Sequence, residues 1–427
     1  MNATPHSLLF WGGSAPMDLG RDVGTRLLRQ AAARGVATQA TAEYPDAPHL
    51  SALAGALHRT EVEDPAQALA WARGRRFDLV LGVREQVQVA LAEVAEALGA
   101  PGNPPEAVRT VREKDRCRQA LRAAGLPQPQ FRLCASADEA LAFLTATTGP
   151  WIVKPRDGSG SVGVSRVDGP EDLAAAVAAL PASAAFVVEQ FVEGAEYSVE
   201  GVFLGGAPRV LAVTEKQLLP PPHFVEAGHV LPADLPPARR EEFERAVTAA
   251  LAALGLRYGV FHVELWATAD GPVLGEVHVR NGGDWIHLML EHAIPGLELF
   301  GLVIDDALGR DTAGLDLTPT RAAAVRFLAP PPGRIRRILG WDEARAHPAV
   351  LRADLTVRPG DVTGEVRESY DRAGHLVVGA DTPREAAELA DRLAALVRFE
   401  VEAPERSTEP GRSTEPERST EPEESAS

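Results

Sequence analysis

The chain has 427 residues, of which 45% are apolar and 24% are charged, a balance typical of a soluble globular protein whose length suits roughly two to four domains. Its formal net charge of −17 argues against nucleic acid or an anionic membrane surface as the main partner. There is no basic leader and no unbroken apolar stretch long enough to cross a membrane, and Cys117 and Cys134 are too few for a disulfide scaffold, so a cytoplasmic protein is expected.

The first hundred residues predict a parallel α/β layer. A short strand over 7–11 and a glycine turn precede a helix over 19–33, and a second strand over 77–82 precedes a helix over 87–98. Strand, turn and helix repeated in this order are typical of such a layer. A cluster of proline, glycine and asparagine at 99–105 then indicates a domain boundary.

The middle of the chain predicts one long helix followed by a strand-rich region. The helix runs over 106–124 and ends at Gly125. Strands are predicted over 151–154, 162–167, 186–189, 197–204 and 209–214. After a helix over 237–254, two more strands over 260–267 and 273–280 are joined by a turn at Asp270-Gly271, and a short helix follows over 285–292.

The last part of the chain divides into a mixed lobe and a low-complexity tail. Residues from about 320 to 401 alternate strand and helix patterns, with helices over 341–346 and 383–397. Beyond them, Arg-Ser-Thr-Glu-Pro recurs from residues 406, 412 and 418 without apolar positions. Such a segment cannot bury enough surface to offset its ordering entropy, so the tail is predicted to be disordered.

A glycine-rich loop follows the strand at 151–154. It has the pattern G-x-G-x-x-G and consists of Gly158, Ser159, Gly160, Ser161, Val162 and Gly163. A dinucleotide-binding loop needs a helix at its third glycine, whereas residues 164–167 predict a strand, so this loop joins two strands as a flap. A flap of this kind lays backbone N–H groups and serine hydroxyls over phosphate oxygens. A solvent-exposed hairpin without a ligand is the alternative.

Lysine is scarce in this chain. Of the 43 basic residues, three are lysines, at Lys114, Lys154 and Lys216. Because arginine serves wherever any cation suffices, the remaining lysines mark positions where a compact ammonium group is needed. Lys154 lies just upstream of the flap, so its ammonium group is expected at the root of the flap, facing the same phosphates.

The hairpin over 260–280 carries acids and imidazoles on one face. Strand residues two apart point the same way, so His262 and Glu264 share a face, as do Glu276, His278 and Arg280. A symmetric hairpin would pair Glu264 with Glu276 and His262 with His278. Facing carboxylates repel each other, and a divalent cation between them removes that repulsion, as in sites where carboxylates and substrate phosphates hold Mg²⁺. A solvated polar face is the alternative.

Taken in order, these motifs resemble the ATP-grasp superfamily over roughly residues 7–400. The segment Glu113-Lys114-Asp115 resembles the family segment whose lysine meets the nucleotide phosphates, and the segment around Lys154 resembles the second phosphate lysine. Residues 189–197 are similar to the adenine-binding hinge. The resemblance implies a protein of α/β and α+β class, with an ATP-grasp fold, an N-terminal Rossmann-like domain and a small C-terminal α+β lobe.

The resemblance also implies ATP and Mg²⁺ as ligands. The implied ATP-binding residues are Lys114, Lys154, Gly158, Ser159, Gly160, Ser161, Val162, Gly163, Glu189, Gln190, Phe191, Val192 and Glu196. Glu264 and Glu276 are similar to the metal-binding glutamates. Where the family has asparagine this chain has His278, a poorer ligand for Mg²⁺. Either His278 does not bind the metal, or the site tolerates Mn²⁺, or the ion is held more weakly. Arg280, together with Lys154, is implied in catalysis.

Within the superfamily, the segments around Lys216 and His229 resemble carboxylate–amine ligases, in particular bacterial L-amino-acid (dipeptide) ligases. Small-molecule carboxylate and amine substrates are then expected, joined through an acyl phosphate. The implied substrate-side residues are Lys216, Glu226, His229, His262, Asn281, Gly282 and Asp284. A ligase for a peptide, carrier-protein or sugar amine and a non-catalytic ATP-binding regulator are the alternatives. Many relatives are dimers, so a homodimer is one expected assembly.

The motifs and the boundary signals together divide the chain into five parts. We predict a pre-ATP-grasp α/β domain over 1–103, an ATP-grasp N-lobe with the flap over 104–185, and a C-lobe with the metal hairpin over 186–318. A C-terminal α+β subdomain over 319–402 and a disordered acidic tail over 403–427 complete the chain.

Overall fold

A computed structural model describes residues 6–13, 17–43, 47–158, 160–181, 185–220 and 224–402. Ser159 of the predicted flap and the predicted disordered tail over 403–427 lie outside the described residues. Among the described helices, none is both long enough and apolar enough to span a membrane.

The first part of the chain forms the predicted parallel sheet, in the order β3-β2-β1-β4. Its strands are β1 (Ser7–Phe10), β2 (Ala37–Ala42), β3 (Ala56–Arg59) and β4 (Leu79–Leu81), with helices α1 (Asp18–Ala33), α2 (Pro48–Ser51), α3 (Pro65–Ala72) and α4 (Gln88–Leu98). Both faces of β1 are buried, because Leu8 and Phe10 pack into one apolar cluster and Leu9 into another. Burial on both faces explains the continuous apolar run in the sequence of this strand.

The predicted single helix over 106–124 is wrong, because the chain breaks it into α5 (Pro105–Arg112) and α6 (Lys114–Ala123). Glu113 between them has the extended dihedral angles φ −96° and ψ 103°. The backbone N–H of Lys114 donates to the carbonyl of Arg156 at 2.9 Å instead of to a helix carbonyl. This bond ties the start of α6 to the strand that carries Lys154.

A second, antiparallel sheet has the order β5-β8-β6-β7. It consists of β5 (Phe131–Cys134), β6 (Trp151–Pro155), β7 (Ser165–Val167) and β8 (Phe186–Gln190), covered by α7 (Ala137–Ala146) and α8 (Leu173–Ala178) after a short 3-10 helix (Pro170–Asp172). The strand predicted over 162–167 begins later, at Ser165. Since β8 pairs with β5 and β6, we propose to move the boundary between the two lobes to a point after Gln190.

The remaining strands build an eight-stranded antiparallel sheet and a small three-stranded sheet. In chain order the strands are β9 (Ala195–Leu204), β10 (Ala207–Leu218), β11 (Glu226–Leu231), β12 (Val260–Thr268), β13 (Gly271–His278), β14 (Ala322–Leu328), β15 (Gly333–Leu339), β16 (Val350–Leu355), β17 (Val362–Thr363), β18 (Gly374–Ala380) and β19 (Arg398–Glu402). The large sheet has the order β13-β12-β9-β10-β11-β14-β18-β16, and the small one β17-β15-β19. The predicted C-terminal lobe therefore extends the sheet that carries the hairpin.

The helices of this half cover the large sheet and its continuation. They are α9 (Pro237–Ala253), α10 (Ile286–Ala293), α11 (Leu299–Ala307), α12 (Trp341–Arg345) and α13 (Pro383–Leu396), with a 3-10 helix at Ser369–Asp371. The predicted strand over 273–280 ends at His278, so Arg280 lies in the loop that leads to α10. This loop and the 3-10 helix both reach the site described next.

Candidate active site

A single cleft with a volume of about 540 Å³ lies between the two antiparallel sheets and the N-terminal domain. The predicted site residues that line it are Lys114, Lys154, Gly158, Gly160, Ser161, Val162, Glu189, Gln190, Phe191, Val192, Glu196, Lys216, Glu226, His229, His262, Glu264, Glu276, His278, Arg280, Asn281, Gly282 and Asp284. Gly163 is not among the lining residues, because it packs against Pro181, whose Cδ lies 2.7 Å from where a Cβ on this glycine would be. The sequence thus predicted which residues share a cleft, and their individual roles stay predictions.

Two of the three lysines converge at the root of the flap. Lys154, buried on β6, has its Nζ 2.6 Å from Oε1 of Glu189 on the neighbouring strand β8. Lys114 begins α6, and its Nζ donates to the carbonyl of Gly158 at 2.7 Å. Both ammonium groups face Oε1 of Glu276, at 3.5 Å from Lys114 and 3.7 Å from Lys154. They form a compact cationic surface beneath the flap.

A buried arginine that the sequence analysis missed supports this arrangement. Arg118 donates from Nε to Oε2 of Glu189 at 3.0 Å and from Nη2 to Oε1 at 3.2 Å. Burial alone would raise the pKa of Glu189, but Arg118 and Lys154 lower it to about 2. Glu189 is therefore ionised and holds the Lys154 ammonium in place. Because Arg118 lies four residues after Lys114 on one helix face, its proximity could have been inferred from helical spacing.

The flap is held against the large sheet. Ser161 has a positive φ of 61° and donates from Oγ to the carbonyl of Phe224 at 2.7 Å. The carbonyl of Gly160 accepts from the backbone N–H of Ser369 at 3.3 Å. A left-handed serine is costly, and such conformations persist where neighbouring contacts fix them. The C-terminal lobe therefore contributes directly to the position of the flap.

The hairpin of β12 and β13 is irregular at its acids. His262 pairs with His278 and Val263 with Val277, as predicted, but Leu265 pairs with Leu274. The predicted symmetric pairing of Glu264 with Glu276 is thus wrong in detail, since a bulge sets Gly275 and Glu276 together across from Glu264. A Cβ on Gly275 would lie 3.0 Å from the Glu264 carbonyl oxygen, so glycine suits this bulge.

Both hairpin carboxylates face the cleft and are ionised. Their side chains are 29% exposed for Glu264 and 26% for Glu276. Burial would raise the pKa of Glu264, but Lys216 and His262 hold it well below its usual range. Burial and the Glu264 charge would raise the pKa of Glu276, but Lys114 and Lys154 lower it. Two neighbouring negative charges thus persist in the cleft.

Each histidine of the hairpin is anchored by a carboxylate behind it. His262 places Nδ1 2.9 Å from Oε2 of the buried Glu200 on β9. His278 places Nδ1 3.0 Å from Oε2 of Glu85, in the loop after β4. The two imidazole rings stack across the strands with centroids 5.6 Å apart. Burial lowers the pKa of His262, but Glu200 more than offsets this and raises it to about 9.

Glu85, which is not among the residues predicted from the sequence, joins the N-terminal domain to the cleft. It accepts from Nε of Arg280 and, at 2.6 Å, from Nη1 of Arg112. Burial would raise its pKa, but His278, Arg280 and Arg112 hold it well below its usual range. An acid shortly after a parallel strand is a recognisable signal, because ligands bind at the carboxyl ends of such strands. Arg280, the predicted catalytic arginine, is thereby fixed at the cleft.

Lys216 lies at the centre of three carboxylates. Its Nζ is 3.1 Å from Oε1 of Glu264, 3.5 Å from Oε2 of Glu196 and 3.6 Å from Oε1 of Glu226. Burial would lower its pKa, but these acids raise it well above its usual range. Lys216 therefore carries a fixed positive charge between a predicted ATP-binding acid, a predicted metal-binding acid and a predicted substrate-side acid.

The far end of the cleft is closed by Asp284 and Arg372. Arg372, which the sequence analysis missed, donates from Nη1 and Nη2 to the two carboxylate oxygens of Asp284 at 3.0 and 2.7 Å. It also stacks over the ring of Phe327 at 3.6 Å. His229 places Nε2 3.0 Å from Oδ2 of Asp284. Burial would raise the pKa of Asp284, but Arg372 and His229 hold it far below its usual range.

The donor set of the hairpin fits a hard divalent cation, because two ionised carboxylates lie side by side and face the cleft. Within the described ranges, however, no three carboxylate, imidazole or thiol side chains converge into a ready coordination shell. The ammonium groups of Lys114 and Lys154 lie against Glu276 instead. A cation would therefore bind together with phosphates that draw these ammonium groups away.

Two family models match this chain. Residues 147–288 match the family described as ATP-grasp domain, and residues 326–402 match the family described as L-amino acid ligase C-terminal domain 2. The uncharacterized protein y4rH of Sinorhizobium fredii is 31% identical over 341 residues, which are 77% of this chain and 70% of that protein. Similarity thus extends over most of the chain.

Two further relatives are similar at lower coverage or identity. Carnosine synthase 1 of Gallus gallus is 32% identical over 300 residues, or 64% of this chain, but the chain covers 31% of the synthase, about a third of its length. The crystal structure of an L-amino acid ligase from Bacillus licheniformis superposes with a TM-score of 0.78 at 24% identity, covering 94% of this chain and 99% of the ligase. This superposition confirms the predicted fold class.

Proposed function

Because the chain belongs to the ATP-grasp superfamily, we propose that it is an ATP-dependent carboxylate–amine ligase that joins amino acids and releases ADP and phosphate. One observation carries this proposal. Lys114, Lys154 and the acids Glu264 and Glu276 face one another across a single cleft beneath a glycine flap. Transfer of a phosphoryl group requires cationic side chains that bind its oxygens and acidic side chains that hold a metal ion.

The nucleotide end of the cleft suits a triphosphate. Lys114 and Lys154 offer point charges for its oxygens, and the flap offers backbone N–H groups. The base would lie along the strand end at Glu189–Val192, near the ring of Phe191, with Glu196 accepting from the ribose. Closure of the flap excludes water, which protects a reactive acyl phosphate from hydrolysis. The ammonium groups that now contact Glu276 would then turn to the phosphates.

A divalent cation, Mg²⁺ or Mn²⁺, held by Glu264 and Glu276 would neutralise charge on the transferring phosphoryl group. In the first step a carboxylate oxygen of one substrate attacks the γ-phosphorus, the bond to ADP breaks, and an acyl phosphate forms. Arg280 lies where it could pair with that carboxylate, held there by Glu85. Orientation of the carboxylate by a fixed arginine makes the attack effectively intramolecular.

In the second step an amine nitrogen attacks the acyl carbon, the carbon–oxygen bond to phosphate breaks, and the proton lost by the nitrogen passes to the departing phosphate. The tetrahedral oxyanion that forms in between would be stabilised by Arg280. Asp284, Glu226 and His229 at the far end offer polar groups for the amine substrate. That carnosine synthase and L-amino acid ligases are among the relatives supports amino acids as the substrates.

The test is substrate-dependent ADP release with a panel of amino-acid pairs and mass detection of the products. We expect a dipeptide product from at least one pair, with one ADP and one phosphate for each amide. Lys154→Ala should lower the rate by roughly 10²–10³-fold, as expected for loss of a preorganised charge at the transferring group. Arg337→Ala, on the exposed three-stranded sheet, is the control and should not change it. Normal turnover in Lys154→Ala would contradict the proposal.

A further inference from the structure

We propose that an apolar recess beside Arg280 takes the side chain of the carboxylate substrate, which is consequently an α-amino acid with an apolar side chain larger than that of alanine. The apolar recess consists of five side chains that line one end of the cleft, namely Met17, Leu19, Val23, Val83 and Ile286. The inference rests on the proposed function, since it names the class of amino acid whose carboxylate is activated.

Two contacts place the apolar recess next to Arg280. Val83 lies two residues before Glu85, which accepts a hydrogen bond from Nε of Arg280. Ile286 packs against the backbone two residues after Arg280, because a Cβ on Gly282 would lie 2.9 Å from its Cδ1. The side chain of an α-amino acid branches from the carbon beside its carboxylate. A carboxylate paired with Arg280 therefore directs that side chain towards the recess.

The apolar recess is an edge of the protein core. Val23 and Ile286 are each 2% exposed and belong to the same apolar cluster, against which Leu19 and Val83 pack. These side chains are held by the core before any substrate binds, so little ordering is needed on binding. Each methylene group that a substrate buries against them should strengthen binding about fourfold.

Met17 is the most exposed member of the apolar recess. It precedes the first residue of α1, and its side chain is 49% exposed. An apolar substrate side chain would cover this surface and remove it from water, which is favourable. Because methionine is unbranched and flexible, it adapts to apolar groups of different shapes. Met17 is thus suited to contact a substrate side chain at the edge of the recess.

The charged side chains next to the apolar recess are already paired. Arg84 places Nη1 2.9 Å from Oε2 of Glu43 and Nη2 2.6 Å from Oε1 of Glu63. Glu85 is likewise occupied by Arg280. An acidic or basic substrate side chain would lose its water here and would have to compete for these partners, which is costly. The recess should therefore reject charged side chains more strongly than small ones.

Hydroxylamine in place of the amine substrate isolates the carboxylate side of the reaction, because it has no carboxylate of its own. The full-length protein, ATP and Mg²⁺ are incubated with each of the twenty standard amino acids, and the amino-acid hydroxamate and ADP are measured. We expect the best donor to be leucine, isoleucine, methionine or phenylalanine. Its kcat/KM should exceed that of alanine by roughly 10–100-fold, and aspartate and lysine should fall below alanine.

Val83→Ala tests the recess itself, since it removes two methyl groups from a half-buried side chain. The KM for the best donor should rise about tenfold, whereas the KM for alanine should stay within about twofold. The kcat should change little, because this contact is the same in the ground state and the transition state. Val362→Ala is the matched control, since its side chain is 65% exposed on β17, and it should leave all these constants unchanged.

The outcomes separate this inference from the proposed function. Equal kcat/KM for alanine and the larger apolar donors, or a preference for a charged donor, would overturn the inference alone. An equal loss with alanine and with the best donor in Val83→Ala would also overturn it, because that result indicates a general structural defect. Absence of both hydroxamate and ADP with every amino acid would overturn it together with the proposed function.

Discussion

The proposed nucleotide end and the proposed substrate end of the cleft are assembled in different ways. The first is built from motifs that are compact in sequence, namely the flap, the strand carrying Lys154 and the β12–β13 hairpin. The second brings together remote segments, since Arg280 meets Glu85 across 195 positions and Asp284 meets Arg372 across 88. An end built from local motifs can be recognised in a sequence, whereas the other end exists only once the domains have packed.

The two ends also differ in their proposed function, since one is proposed to bind ATP and the other the amino-acid substrates. Side chains at the nucleotide end are charged and pair with one another at short distances, which suits one fixed ligand. The substrate end takes residues from the N-terminal domain, the loop before α10 and the C-terminal lobe, which contact one another through Glu85 with Arg280 and Asp284 with Arg372. We therefore expect variants at the two ends to affect different kinetic constants, and the following predictions test that separation.

The largest effect is expected at the nucleotide end. Glu276→Gln keeps the shape of the side chain but removes the charge that faces Lys114, Lys154 and the proposed cation. Turnover should fall by roughly 10²–10³-fold, because a preorganised electrostatic contact to the transferring group is lost. Steady-state ADP release measures this. Glu242→Gln, whose carboxylate pairs with Arg239 at 2.8 Å away from the cleft, should match the wild type, and equal rates in both variants would contradict the role of Glu276.

The next effect concerns the bulge that shapes the hairpin. Gly275→Ala adds a Cβ 3.0 Å from the carbonyl oxygen of Glu264, so the free energy of unfolding should fall by about 1–3 kcal/mol. Denaturant unfolding measures this. Gly314→Ala is the matched control, since no atom lies within 4 Å of its added Cβ. If both variants unfold at the same denaturant concentration, the bulge is not a tight packing site.

A smaller, selective effect is expected at the substrate end. Arg372→Lys keeps the charge but loses the two-pronged contact to Asp284, so KM for the amino-acid substrate should rise about tenfold. The Kd for ATP, measured by calorimetry, should stay within about twofold, since neither residue belongs to the nucleotide end. A loss of ATP affinity as large as the rise in KM would show that the two ends are coupled through the contact of Ser369 with the flap.

The smallest effect is expected from thiol modification. Burial raises the pKa of Cys117 and of Cys134 to about 11, so both are protonated thiols at pH 8 and poor nucleophiles. Iodoacetamide at this pH should leave ADP release unchanged, although Cys117 lies beneath Lys114 and Glu276. Rapid inactivation that ATP prevents would contradict the burial of Cys117. The rate should rise with pH as the thiolate fraction increases.

The local motifs explain how much of the site could be predicted. The scarcity of lysine identified Lys114, Lys154 and Lys216, and all three line one cleft. The symmetric count of the hairpin about its turn placed His262 across from His278, as the structure has it. These patterns depend on neighbours along one or two strands, so the sequence contains them directly.

What could not be predicted depends on contacts between remote segments. The break at Glu113 follows from the bond of the Lys114 N–H to Arg156, which no helical pattern reveals. Arg372 is an ordinary charged residue in its own segment and becomes a site residue only through packing against Asp284, whereas the position of Glu85 after a parallel strand is a signal that the sequence contains. The bulge at Gly275 shifts the pairing beyond Val263 because the hairpin accommodates one extra residue, which a symmetric count cannot anticipate.

The most direct test of the central claim follows oxygen through the reaction. A donor amino acid labelled with ¹⁸O in its carboxylate is incubated with ATP, the divalent cation and an acceptor amine, and the released phosphate is analysed by mass. Attack of the carboxylate on the γ-phosphorus predicts one ¹⁸O in each phosphate, with ADP formed in equal amount. Release of AMP and pyrophosphate, or unlabelled phosphate accompanying amide formation, would contradict the account.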